Sequence, residues 1–424
     1  MLRIFHTADW HLGHHLHGVS RQLEHQQFLD WLLDELKNKQ ADALIVAGDI
    51  FDSANPSSAA QSQLYDFLVK AKAQQANLDI ILIGGNHDSA SRLDAPSPIL
   101  NALGVTVVGG LSQGDQGNID WERLLVPLTN ATGEIKAWCG AMPFLRNADL
   151  PTIARDGGDT EQSAEQDSDP LISGMKTLYA ELFAQLQQKA GNDHSLILTG
   201  HCYMVNGAVS ELSERKILGG NQHALPVELF PDEIAYVALG HLHLAQRVGT
   251  HRHIRYSGSP IPLSFDESDY SHQVVQVDVR AGQPVETVSI KIPRSVELLR
   301  VPNGKDFAVL ADVLEHLENL ILDDLPIEQR PLLELRIRLE KPEPGLRQQV
   351  EDVISKLPLR LLKISTAYSG SEKSLADLKI DERLEELQAL DVFQRCYQNK
   401  YDKDAPEAMN ALFNELVESL QGTE

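Results

Sequence analysis

The sequence predicts an α/β fold, and three observations carry that expectation. From Met1 to about Arg280 short β-rich runs alternate with helical stretches. Five of the apolar runs end in a cluster of Asp, Asn or His, and the alternation changes register beyond "VSIKIPRS". Strands alternating with helices argue for a sheet carrying helices on its faces.

Taken in order, "LRIFHTA" reads as a strand, "EHQQFLDWLLDELKNKQ" as a helix and "ADALIVAG" as a strand. Another helix and the strand "LDIILIGG" follow, and "LILTGHC", "IAYVALGH" and "IRYSGSP" are later strands. This first unit is placed at residues 1–285. Within it "RDGGDTEQSAEQDSDP", from Arg155 to Pro170, is polar, acidic and unpatterned, and reads as a surface loop or disordered insertion. Residues 290–370 then read strand, helix, strand, helix, strand in "VELLRV", "DFAVLADVLEHLENLIL", "LLELRIRLE", "GLRQQVEDVISKL" and "LRLLKIS", which is a small α+β domain. Residues 371–424 hold thirteen acidic and six basic residues with helical apolar spacing. Leu387, Leu390, Val392, Phe393 and Tyr397 equip that helical tail to dock onto a partner.

A chain of 424 residues, 42% hydrophobic and 23% charged, has the composition of a soluble globular protein with more than one domain. No apolar run is long enough for a membrane helix, and "MLRIFHTADW" lacks a basic and apolar leader, so a cytoplasmic protein is expected. Cys139, Cys202 and Cys396 are odd in number and far apart, which points to packed thiols rather than a disulfide framework or a thiolate metal site. The formal net charge of −24 argues against unaided binding along a nucleic-acid backbone, whose affinity comes from Lys and Arg displacing counterions. A DNA substrate would need metal ions, local basic patches or a partner to supply the attraction.

The strand ends carry the chemical signal. "TADWHLG" offers Asp9 and His11, "VAGDIFDS" offers Asp49 and Asp52, "GGNHDS" offers Asn86 and His87, "LTGHC" offers His201, and "ALGHLHL" offers His241 and His243. One Asp after a strand is ordinarily a helix cap or turn former, and one His a packing residue. Five such clusters in order would leave many imidazoles and carboxylates buried and unpaired at substantial cost, unless they hold metal. Imidazole, carboxylate and amide oxygen without thiolate suit divalent ions such as Mn²⁺, Fe²⁺ or Zn²⁺, and the ligands are too many for one ion. The remaining histidines read more plainly. His14, His15 and His17 lie in a loop beside the site, in contact with substrate or solvent. His251 and His253 alternate on a hairpin strand, and His6 belongs to the first strand. Arg21, Arg92 and Arg146 are candidate phosphate contacts.

Read as DxH, GDxxD, GNHD, GH and GHxH, these blocks resemble the signature of the calcineurin-like, or binuclear, metallophosphoesterases. The phosphoprotein phosphatases of that superfamily carry an Arg pattern after the second block and a Glu ending the third, where this chain has Ser53 and Asp88. "HTADWHLG", "VAGDIFD", "GNHDS", "ALGHLH" and "YSGSPIPLSFDE" are more similar to the branch of nucleases that work with an SMC-like ATPase in DNA repair, recombination and replication. The resemblance is strong over residues 1 to 270. It implies a four-layer core of two packed mixed sheets flanked by helices, a small α+β capping domain over 290–370 that selects DNA, and a tail over 371–424 that binds the ATPase coiled coil. It further implies two divalent ions, Mn²⁺ foremost, bridged by Asp49. Asp9, His11 and His243 would complete one site, and Asn86, His201 and His241 the other. His87 would face the scissile phosphate with Asp52 orienting its ring, and Asp88 would give a supporting hydrogen bond. Partners would be double-stranded DNA, a second copy through the nuclease domain, and two copies of the ATPase. The same five blocks would equally serve a stand-alone phosphoesterase of nucleotides or small phosphoesters, which would not obviously need the long C-terminal extension. A scaffold without chemistry would not need every ligand.

Overall fold

The computed structural model describes residues 1–112, 118–151, 170–205, 224–280 and 282–368. The acidic stretch after Arg155, up to residue 169, and the tail over 371–424 lie outside the described residues.

Two six-stranded sheets form the core. The first runs, in spatial order, Glu286–Lys291, Gln273–Val279, Leu2–Thr7, Ala43–Ala47, Asp79–Ile83 and Val105–Val108. Its last four strands are mutually parallel, and the other two join antiparallel. A central parallel strand is covered on both faces and needs no polar alternation, so "ALIVA" at Ala43–Ala47 is buried throughout. The second sheet runs Gln246–Val248, His251–Tyr256, Ile234–Gly240, Ser195–His201, Ile135–Gly140 and Leu125–Thr129.

Alternation within the strands of the first sheet divides their two faces. Ile4, Ile45 and Ile83 share one apolar cluster with Ile197 and Val237 of the second sheet. Phe5, Leu44 and Leu82 belong to another, with Phe28, Leu32 and Leu36 of the helix Gln22–Asn38 and Leu64 and Phe67 of the helix Ser58–Gln74. Ser57 caps that second helix by accepting from the Ala60 N–H. The helix Pro170–Ala190 contributes Leu182 and Leu186 to the cluster of the second sheet. The order helix, sheet, sheet, helix gives the four layers.

A third sheet follows. Leu332–Leu339 pairs in parallel with Arg360–Tyr368 along its length, and its other edge takes Leu298–Val301 and Ala308–Val309. Helices Leu310–Glu318 and Leu346–Ile354 bury Val313, Leu317, Val350 and Ile354 against Leu333, Leu335 and Ile337 in a separate core. Among the described residues no helix is long and apolar enough to cross a membrane.

Candidate metal centre

All five polar clusters meet where strands of the two core sheets end. The loops after the first two strands are zipped together: the Asp9 N–H donates to Gly48 O and the His11 N–H to Asp49 O, each at 3.0 Å. The Asp9 carboxylate is fixed across the sheets, its Oδ1 accepting from the His241 N–H at 2.9 Å. Asp9, His11, Asp49 and His241 all adopt positive φ, between 47° and 102°, a conformation that costs non-glycine residues energy. Glycine is required where these loops crowd. A Cβ on Gly85 would stand 2.2 Å from Asp49 Oδ1, and one on Gly240 would stand 1.9 Å from Ala47 O.

The resulting cluster is buried and tightly drawn. Asp9, His11, Asp49, His201 and His243 are at most 3% exposed, and Asn86 and His87 are half-buried. Asp9, His11 and His243 can hold one ion, and Asp9, Asp49 and His201 form an overlapping set. Asn86 Oδ1 lies 2.9 Å from His201 Nε2 and 3.1 Å from His241 Nδ1, while Asp49 Oδ2 lies 3.2 Å from His201 Nε2 and 3.6 Å from His11 Nε2. Ligands about 2.1 Å from one ion are separated from each other by roughly 3.0–3.5 Å, so these spacings fit a divalent cation. Two further observations fit. Asp9 Oδ2 and His11 Nε2 are buried without a hydrogen-bond partner, and the donor set is oxygen and imidazole only.

Charge points the same way. Burial pushes the Asp9 carboxyl up to about 7 against the pull of His201 and His243. Burial opposes ionisation of Asp49 too, yet His201, His87 and His11 together hold it well below the usual carboxylate range. His201 is itself resisted by burial, but Asp49 and Asp9 raise it to about 9, whereas burial drives His11 down to about 4 and His241 to about 3. The protein alone thus keeps one proton on His201 to offset its buried anions. A bound cation would take over that duty.

Around the cluster the structure gives each flanking residue a partner. His87 has Nδ1 at 2.8 Å from the backbone carbonyl of Asp52, and its N–H donates to Asp49 Oδ1 at 2.8 Å. The sequence assigns the support of His87 to Asp52, and the contact runs through the Asp52 main chain. The Asp52 carboxylate instead lies 2.9 Å from His14 Nδ1 and 3.4 Å from His11 Nδ1. Although burial resists it, those two rings hold the carboxyl well below its ordinary range. Asp88 accepts from the N–H groups of Ile50, Phe51 and Gly85 at 2.9–3.0 Å, bracing the second loop on the third.

Arg21 requires a correction. It is fully buried, its guanidinium is paired with Glu24, and Nη1 donates to Pro262 O at 2.7 Å, so its charge is matched inside the protein and none of its surface is open to a phosphate. Arg146 is tied to the Asp88 carbonyl at 3.0 Å, and Arg92 is exposed. Sequence reasoning gave His14 only a contact with substrate or solvent and missed Glu267. His14 bridges Asp52 and the Leu263 carbonyl, and Glu267, wholly buried, lies 2.9 Å from His243 Nδ1. Nothing local marks either, since their partners are distant in the chain.

Comparison with known proteins identifies the family. The calcineurin-like phosphoesterase family profile matches residues 2–245, and that of the type 5 capsule protein repressor C-terminal domain matches residues 294–401. The SbcD component of the nuclease SbcCD from Rhodobacter capsulatus is 41% identical over 360 residues, covering 85% of this chain and 86% of that protein. The Escherichia coli K12 protein of the same name is 32% identical over 426 residues, covering 99% of each, and that of Bacillus subtilis is 35% identical over 283 residues, covering 66% and 67%. A buried two-site cluster at the ends of two packed sheets, matched along most of the chain, places this protein in the calcineurin-like phosphoesterase family, among the SbcD nucleases.

Proposed function

We propose that the chain is the nuclease component of a DNA-processing complex, hydrolysing phosphodiester bonds with two divalent ions, Mn²⁺ foremost. In this reading it is an ATP-dependent double-strand exonuclease and a single-strand or hairpin endonuclease. It would serve DNA repair, recombination and replication with an SbcC-type SMC-like ATPase, two copies of each. The observation that carries the chemistry is the gathering of six candidate ligand side chains from four strand ends around Asp49, which stands at a fifth, with buried acceptors that have no partner. The partner is inferred from relatives named as parts of SbcCD. The net charge of −24 is a second reason for one, because this chain alone has little to attract a polyanion.

Bound ions would supply Lewis acidity and an activated water. The protein's own residues do the positioning. Asp9, His11 and His243 would hold one ion, and Asn86, His201 and His241 the other, with Asp49 between them. His87 is half-buried with Nδ1 donating to the Asp52 carbonyl, so the doubly protonated ring would be the form that gives a proton or hydrogen bond from Nε2 to the leaving oxygen. His14 and Asp52 keep His11 in place. The sheet over 298–368 would cap the groove and select DNA, and the 371–424 segment would grip the ATPase coiled coil.

The test is cleavage of one hairpin DNA and one linear duplex by the full chain, with and without Mn²⁺, ATP and the ATPase. Cutting that requires Mn²⁺ and is extended by the ATPase with ATP is expected. Hydrolysis of small monoesters with intact DNA would contradict the proposal.

A further inference from the structure

Outside the ligand set, one buried carboxylate has its two oxygens committed to different partners. Glu267 Oε1 lies 2.9 Å from His243 Nδ1, and its Oε2 accepts from the Leu263 N–H at 2.8 Å. It closes the single turn Phe265–Glu267, whose other two side chains belong to a different part of the molecule. Phe265 packs in a buried cluster with Leu16, Val296, Leu298 and Leu332, and Asp266 Oδ1 pairs with Arg300 Nη2 at 2.8 Å. Arg300 in turn holds Glu334 of the central strand of the third sheet at 2.7 Å. Three consecutive residues therefore link that sheet to the imidazole of His243.

We propose that Glu267 is the positioning residue of His243, and that the Phe265–Glu267 turn makes ion binding at Asp9, His11 and His243 depend on how the third sheet is seated. The proposal rests on reading the cluster as a metal centre. A neutral imidazole that donates Nδ1–H to a carboxylate keeps its lone pair on Nε2, the tautomer a metal requires, and gains basicity. The Leu263 N–H fixes the second oxygen, so the carboxylate cannot swing away without leaving a buried donor unpaired. The chain before it is also held, with Pro262 O accepting from Arg21 and Leu263 O lying 3.0 Å from His14 Nε2. Movement of the third sheet would therefore reach the metal site through one rigid turn.

Glu267→Gln is nearly isosteric but offers one acceptor where two donors converge, so either His243 or Leu263 must face an amide NH₂. Calorimetric titration of the full chain with Mn²⁺ should show one of two ions bound roughly 10- to 100-fold more weakly and the other unchanged. The electron paramagnetic resonance signal should pass from a coupled pair to an isolated ion. Asp266→Asn touches no ligand and should weaken the same ion by a smaller factor. A variant that melts earlier but binds both ions as before would overturn the proposal, since Glu267 would then be structural only. If Glu267→Gln does not fold, unaltered Mn²⁺ binding by Asp266→Asn overturns it. Failure of the unaltered chain to bind Mn²⁺ would remove the metal-centre reading as well, whereas two ions bound with unchanged affinity in every variant would remove only this proposal.

Discussion

The strand-end cluster and the ion network of the third sheet are both buried and charged, yet they are built by opposite rules. In the network Arg300 is shared between Glu334 and Asp266, and the second oxygen of Glu334 takes Ser365 at 3.0 Å and Lys363 at 3.4 Å. In the cluster Asp9 Oδ2 and His11 Nε2 have no hydrogen-bond partner, and four of the proposed ligands sit at positive φ. Saturated polar groups hold a fold together. Unsaturated and strained ones persist only where the surroundings force them, which marks a place kept for another group.

Breaking the cluster should abolish function before stability. Asp49→Ala removes the carboxylate proposed to be shared by both sites, and should lose both ions and more activity than the roughly 10⁴-fold upper range of a positioned acid. Metal analysis together with single-turnover cleavage would check it. His87→Ala should keep both ions and lose roughly 10²- to 10⁴-fold in rate. Loss of an ion in that variant would show His87 to be a ligand.

Breaking the saturated network should cost stability first, with the ion at Asp9, His11 and His243 weakened only by the smaller factor expected of Asp266→Asn. Arg300→Met leaves Glu334 with only Lys363 and Ser365, and should cost about 3 kcal/mol, the lower end for a broken buried pair, read from urea unfolding. A smaller effect separates the two regions by pH. His201, raised to about 9, and Asp9, raised to about 7, each stabilise the metal-free chain at low pH and lose that contribution as pH rises through those values. Between pH 6.5 and 9 the metal-free protein should therefore melt earlier while Mn²⁺ binds more tightly, because the ion no longer displaces a proton. Stability and affinity moving together would contradict this.

The strand-end residues that meet in the cluster were legible in the sequence because each group of them sits directly after its own apolar run, where local pattern and position coincide. The alternation also indicated an α/β core, but not that it divides into two packed sheets, since the order of strands within a sheet is a tertiary property. In the third sheet the helix read over "DFAVLADVLEHLENLIL" is shorter, at Leu310–Glu318. Arg21 misled because its burial depends on Pro262, some 240 positions away, although Glu24 one turn on was a local hint of its pairing. Glu267 and the carboxylate role of Asp52 were invisible for the same reason, as their partners His243, His11 and His14 become neighbours only on folding.

The central claim is that two ions sit on either side of Asp49. Anomalous diffraction from crystals grown with Mn²⁺ tests it most directly. Two peaks about 3.5–4 Å apart are predicted, one against Asp9, His11 and His243 and the other against Asn86, His201 and His241. A single peak, or peaks away from Asp49, would contradict it.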